Sequence, residues 1–300
     1  MTPRDTPDQD EDPHREGITQ KAVEKWAEVA PLYRLPENLL NRYRLRLDYR
    51  WSPPLCMLPP SMHKAMIKDG WRLMDVYEEK LVQNMDFVGL KLIDAWLIPI
   101  LGLFEGRLID LLDYNEPRTE FSSGGRVERQ IFGLRGYMFV VLRMKPGVSF
   151  GCEVTQLFLE LLSADLLNQD AGGVGPVRVH GLLTDLNRFV FYSFDPTTKT
   201  FYEGERHGCG DFRDSFCSSM ICLANHIFSI LMHSYVEFLE ANIAQPATSH
   251  SDSELSDWKA GFDFAKQAHQ DLQAARADVA NTPDVLEEKS SEALKLLSRR

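Results

Sequence analysis

The chain has 300 residues, 44% of them hydrophobic, so it can bury a large core; at about 150 residues per domain it accommodates one large domain or two smaller ones. A formal net charge of -11 and a pI near 5.2 exclude a surface that is basic throughout, the kind that binds nucleic acid or anionic membrane indiscriminately. The five cysteines (Cys56, Cys152, Cys209, Cys217, Cys222) have no short paired spacing, which favours reduced thiols in an intracellular protein, cytoplasmic or nuclear, over a disulfide framework.

Residues 1–17 are acidic, contain Pro3, Pro7 and Pro13 and lack apolar periodicity, so they are expected to be disordered; no apolar leader is present. Ile18, Ala22, Trp26 and Val29 recur at helical spacing and predict a first short helix. Prolines 36, 53, 54, 59 and 60 break the next stretch, leaving one short helix near 37–47. Helical patterning then runs from about Met62 to Leu112, with a break near Pro99, and places Glu105 on a mostly apolar helix. The apolar run 95–104 is too short for a membrane span.

The turn signal Ser122-Ser-Gly-Gly125 precedes two predicted strands, 127–134 and 137–144, joined by a tight hairpin at Arg135-Gly136. The second is apolar until its end, where Arg143 and Lys145 fall on one face. Residues 152–168 predict a helix whose stripe opposite the apolar face holds Glu153, Gln156, Glu160 and Ser163, the pattern of a solvated helix face. Two β-rich runs, 177–184 and 188–194, predict a second hairpin, with Asp185 and Asp195 as turn residues, and a short run follows at Phe201-Tyr202. A long apolar helix is expected over about 212–242, then an amphipathic helix marked by Trp258, Phe262, Ala265 and Leu272. Thr282-Pro283 opens a last one, as N-cap and first-turn proline. The fold class is therefore α/β (α+β): a mixed sheet of four or five strands flanked by helices, with extra helices at both ends. The expected units are a disordered 1–17, a helical 18–100, a sheet domain 101–243 and a C-terminal helical segment 244–300. That last segment is expected to be removable, or to offer its helices to a protein partner.

In this order, "GRVER" (125–129), "VVLRMK" (140–145), "TQLFLELLSADLLN" (155–168) and "VHGLLTDLNRFVFYSFD" (179–195) resemble the PD-(D/E)XK nuclease-like superfamily, and within it a group of fungal proteins of that fold. The resemblance covers about 103–202. It implies a restriction-endonuclease-like sheet and a Mg²⁺ held by a strand carboxylate and the acid of a Glu-x-Lys motif, with the lysine orienting the attacking water. Carried over, Glu105 falls at the helix acid, Glu128 at the strand acid, and Lys145 and Gln156 at the lysine and glutamine. Arg143 stands where the second metal-binding carboxylate belongs, and a guanidinium has no lone pair for a cation. Two readings follow. Either the metal site is lost and Arg143 neutralises Glu128 or Glu105 inside the protein, leaving a binding or regulatory role. Or Glu153 or Glu160 replaces the missing acid, Mg²⁺ binds Glu105, Glu128 and Glu153, and Arg143 grips a phosphate.

The arginine-rich stretch from Arg118 to Lys145 offers a local basic patch for nucleic acid. Within it, Arg126 and Arg129 are candidate contacts, although their spacing equally fits exposed edge-strand charges. His207, Cys209, Cys217, Cys222 and His226 hint at zinc, but the 5- and 4-residue spacings of the last three read more readily as core positions of a helix.

Overall fold

The computed structural model describes residues 13–37, 47, 49–77, 85–122, 124–133, 136–144, 150–170, 175–244, 252–277 and 282–298. Their architecture is mixed α/β. Seven α-helices surround one open six-stranded sheet: α1 (Pro13–Val29), α2 (Pro60–Tyr77), α3 (Met85–Gly102), β1 (Leu108–Glu116), β2 (Gly125–Gly133), β3 (Met138–Met144), α4 (Phe150–Asp170), β4 (Val179–Thr184), β5 (Arg188–Asp195), β6 (Thr200–Gly208), α5 (Arg213–Ile243), α6 (Asp252–Ala277) and α7 (Pro283–Leu297). The strands lie in chain order, all neighbours antiparallel except β3 and β4. A parallel pair needs a crossover, and α4 supplies it.

The hairpins form where the turn chemistry puts them. Asp185 accepts hydrogen bonds from the Asn187 and Arg188 amides while Leu186 takes a positive φ of 67°. Asp195 does the same for Thr197 and Thr198. Every residue of β3 and β4 is buried, as expected of adjacent parallel strands covered on both faces.

Two apolar clusters fill the two faces. On one, α4 lies on β3, β4 and β5, and α1 crosses α4, with Trp26 edge-on to Phe158 at 5.5 Å. On the other, α3 and α5 cover the sheet and α2, α6 and α7 pack outside them. By length and composition α5 could cross a membrane, yet 72% of its most apolar window is buried inside the fold.

Several sequence expectations change. The segment read as helix up to Leu112 is instead a helix, a turn and an edge strand. Helix α3 ends at Gly102, Glu105 and Gly106 take φ values of 48° and 77°, and β1 begins at Leu108. Apolar residues at 108, 109, 111 and 112 fit a helix face, but in the strand they split between both sides, leaving Ile109 and Leu112 each 50% exposed. The sheet thus gains β1, and the run at Phe201-Tyr202 extends to a nine-residue β6. Residues 13–17, expected to be disordered, begin α1. The short helix expected near 37–47 falls almost wholly outside the described residues.

The C-terminal helices are not an appendage. In α6, Ala265, Ala268 and Leu272 belong to the same apolar cluster as α5, and Trp258 meets Phe238 with ring centroids 5.8 Å apart. In α7, Leu297 is buried and Glu287 accepts hydrogen bonds from the Ser61 amide (2.7 Å) and hydroxyl (2.5 Å) at the start of α2. Deleting 246–300 should therefore give an insoluble chain or one that melts without cooperativity. Leu272→Ala alone should cost about 2–5 kcal/mol in urea unfolding. A truncated chain with a sharp melt would show that α6 and α7 are dispensable cladding.

Candidate functional site: an arginine among three carboxylates

Strands β2 and β3 bring Glu128 and Arg143 side by side. Arg129 pairs with Leu142, so one step along the antiparallel register sets Glu128 opposite Arg143, on the face covered by α4. From α4, Glu153 and Glu160 reach down to the same guanidinium. Arg143 Nη1 donates to Glu160 Oε1, Arg143 Nε lies 3.6 Å from Glu153 Oε2, and Gln156 donates to Glu160 at 3.0 Å. The helix provides this set because residues 153, 156 and 160 share one stripe. Arg143 is only 7% exposed and Glu160 only 1%.

One cation thus faces three anions. Burial opposes the charge on Arg143, but Glu160, Glu128 and Glu153 together outweigh it and push the guanidinium pKa up. The surplus negative charge falls on the most deeply buried acid. Burial pushes Glu160 up to about 7, against Arg143 and Gln156 and with the help of Glu128 and Glu153. Glu128 Oε2 and Glu160 Oε2 keep no hydrogen-bond partner among the described residues.

The candidate residues meet different fates. Glu128, Arg143, Glu153 and Gln156 converge, and Glu160 joins them as the tightest partner of Arg143, although its stripe read as a solvated helix face. The helix pattern alone does not signal this, because what Glu153 and Glu160 meet is Arg143 of β3. Glu105 does not take part. It is exposed, on the α3–β1 turn, beyond the end of β2 at Gly133, which is about 17 Å along the strand from Glu128. It is neither the partner of Arg143 nor placed to share a metal with Glu128. Lys145 lies outside the described residues, as does the side chain of Arg126. Arg129 is the clearest correction: it is fully buried on the other face, paired with Asp94 of α3 and, at 3.2 Å, with Asp110 of β1. Strand β1 makes β2 an interior strand, so Arg129 is closed to nucleic acid. Burial also raises the Asp110 pKa, against the pull of Arg129.

Directly outside the cluster is a cleft of about 460 Å³ between α1, α4 and the β1–β2 loop. Lys21, Lys25 and Arg118 line it with Glu120 and Gln156. Thr119 and Ser163 hydroxyls at 2.6 Å tie the loop to α4. Gln156 therefore connects the cleft to the buried ion pairs: it lines one and donates to Glu160 in the other.

No disulfide joins any of the five cysteines, and burial pushes the Cys56 thiol up to about 12. The sequence hint of zinc changes composition. Cys217 is buried in the core and Cys222 is exposed, whereas His207 and His226 approach each other with Glu205 and no cysteine. Comparison of the chain with protein-family models, with curated proteins and with solved structures found no match to any of them.

Proposed function

We propose that this chain is a nuclease-like fold whose metal position has been taken over by an internal ion pair, and that it binds polyanions, nucleic acid foremost, without hydrolysing them. The observation that carries this reading is the burial of Arg143 between Glu160 and Glu153. A guanidinium at 7% exposure occupies the space a hydrated Mg²⁺ would need and repels the ion. The α3, three strands, α4, β4 order is consistent with the resemblance read from the sequence. Binding falls to the cleft, where Lys21, Lys25 and Arg118 outnumber Glu120 on an otherwise acidic protein.

Fluorescence anisotropy with labelled DNA and RNA oligonucleotides tests this. Binding should weaken with salt, with a log–log slope of about -2 to -3 for three phosphate contacts on a duplex, and Lys21→Glu with Arg118→Glu should weaken it at least about tenfold without moving the melting temperature. Flat binding across those variants would exclude the cleft as the binding surface.

A second reading is favoured by the unpartnered oxygens of Glu128 and Glu160: three carboxylates close together could still admit Mg²⁺ if Arg143 swung into the cleft. Mn²⁺- or Mg²⁺-dependent cleavage by the parent, abolished by Glu160→Gln and by Lys145→Ala, would establish that reading in place of ours. Partner binding through α6 and α7 is disfavoured, since the apolar face of α6 is spent on α5 and α7 packs on α6 and α2.

A further inference from the structure

On the opposite side of the sheet, β6 turns two alternate side chains, Glu205 and His207, toward α5, where His226 faces them. Both imidazoles converge on one oxygen. His207 Nε2 lies 3.6 Å and His226 Nδ1 3.7 Å from Glu205 Oε2, too far for hydrogen bonds, and all three groups' ligand atoms fall within 4.8 Å of one another. Nε2 of His207, the nitrogen that faces Glu205, has no hydrogen-bond partner among the described residues although it is buried. Buried imidazole nitrogens without partners are uncommon, and an ion is one of the usual reasons for them.

From this geometry we infer that Glu205, His207 and His226 form a binding site for one divalent transition-metal ion, zinc foremost. The donor set is two neutral nitrogens and one carboxylate oxygen, the composition of three-ligand zinc sites that keep a fourth position open. Zinc bonds of that kind set tetrahedral ligand atoms about 3.3 Å apart, a few tenths of an ångström inside the two histidine–carboxylate separations of 3.6 and 3.7 Å, while the full donor set, spread within 4.8 Å, draws in further on binding. The ligands lie on a sheet strand and a core helix, so the backbone beneath them is held in place. The site is graded from inside to outside: the His226 side chain is 2% exposed, His207 16% and Glu205 58%. The open position therefore faces solvent beside Glu205, where a water or a small anionic ligand would complete the shell. Phe191, its ring centroid 4.4 Å from that of His226, closes the inner side. The carboxylate cluster around Arg143 has no part in this site.

The test uses the full chain, stripped with EDTA and dialysed. Equilibrium dialysis should find one zinc per chain, Co²⁺ should develop the visible ligand-field bands of a four- or five-coordinate nitrogen–oxygen site, and zinc should raise the melting temperature. His207→Ala and Glu205→Gln, both at partly exposed positions, should fold as the parent does, bind at least about tenfold more weakly and lose the zinc-dependent thermal shift. His226→Ala opens a cavity in the core, so these two variants decide the matter. A parent that takes up no stoichiometric zinc, or a folded His207→Ala that binds as tightly as the parent, would overturn the assignment.

Discussion

Arg143→Ala should destabilise the protein by about 3–5 kcal/mol, read as a lower urea midpoint at unchanged slope. The loss does not come from a favourable contact removed from the surface. It comes from Glu160, 1% exposed, being left without its countercharge while Glu128 and Glu153 still press on it. Replacing both partners is the informative control. Arg143→Met combined with Glu160→Leu removes the stranded charge together with its cause and should recover most of the loss, since buried ion pairs exchanged for apolar side chains are often neutral or stabilising. Were Arg143 a phosphate-gripping residue in an open cleft, the single variant would cost within about 0.5 kcal/mol and the double variant would offer no recovery. The comparison thus separates an arginine held for the fold from one held for a ligand.

Much of the sheet could be read in advance. Segments 137–144 and 177–194 are apolar, β-branched and bounded by turn residues, and they form β3, β4 and β5 within a few residues of the expected limits. Local pattern sufficed because those strands are buried on both faces. Strand β1 was not legible for the same reason in reverse. As an edge strand it is only partly buried, with Ile109 and Leu112 exposed on opposite faces, and its apolar residues satisfy helical spacing equally well. The site divides along the same line. The convergence of Glu128, Arg143, Glu153 and Gln156 follows from strand pairing plus one helix stripe, and both are local features. What turns the stripe into a buried ion-pair cluster is the packing of α4 on β3, which brings it against Arg143. Arg129 failed for a similar reason: its burial depends on Asp94 from α3 and on the β1 pairing, and neither is visible in the "GRVER" motif.

Acid should destabilise this protein, and Glu160 should oppose the loss down to about pH 4.5. His180 and His226 are each 1% exposed and held neutral. Burial pushes His180 well below its ordinary value, helped by Arg178, His233 and His226; it takes His226 to about 3, helped by His207. Between pH 6.5 and the folded-state values the unfolded chain binds the extra protons, so stability falls as pH falls, by about 1.4 kcal/mol per pH unit for each histidine, or about 2.7 for the two. Glu160 works the other way. Its folded pKa near 7 exceeds the ordinary 4.5, so the folded state is the one that holds the extra proton over that window. Its contribution therefore grows as pH drops from 7 to 4.5 and then saturates, giving back about 1.4 kcal/mol per unit. Burial lowers His63, His207 and His269 as well and steepens the fall, so Glu160 is read by difference: from pH 6.5 to 4.5 the parent's slope should be about 1.4 kcal/mol per unit shallower than that of Glu160→Gln. Urea unfolding in EDTA across pH 4–8 measures this, the chelator keeping metal off His226. In Glu160→Gln the opposing titration is gone, and the steeper slope should begin at pH 6.5 whatever the variant's absolute stability. A parent whose stability is level between pH 6.5 and 4, or a Glu160→Gln variant with the parent's slopes, would mean that the histidines protonate inside the fold or that Glu160 is ionised throughout.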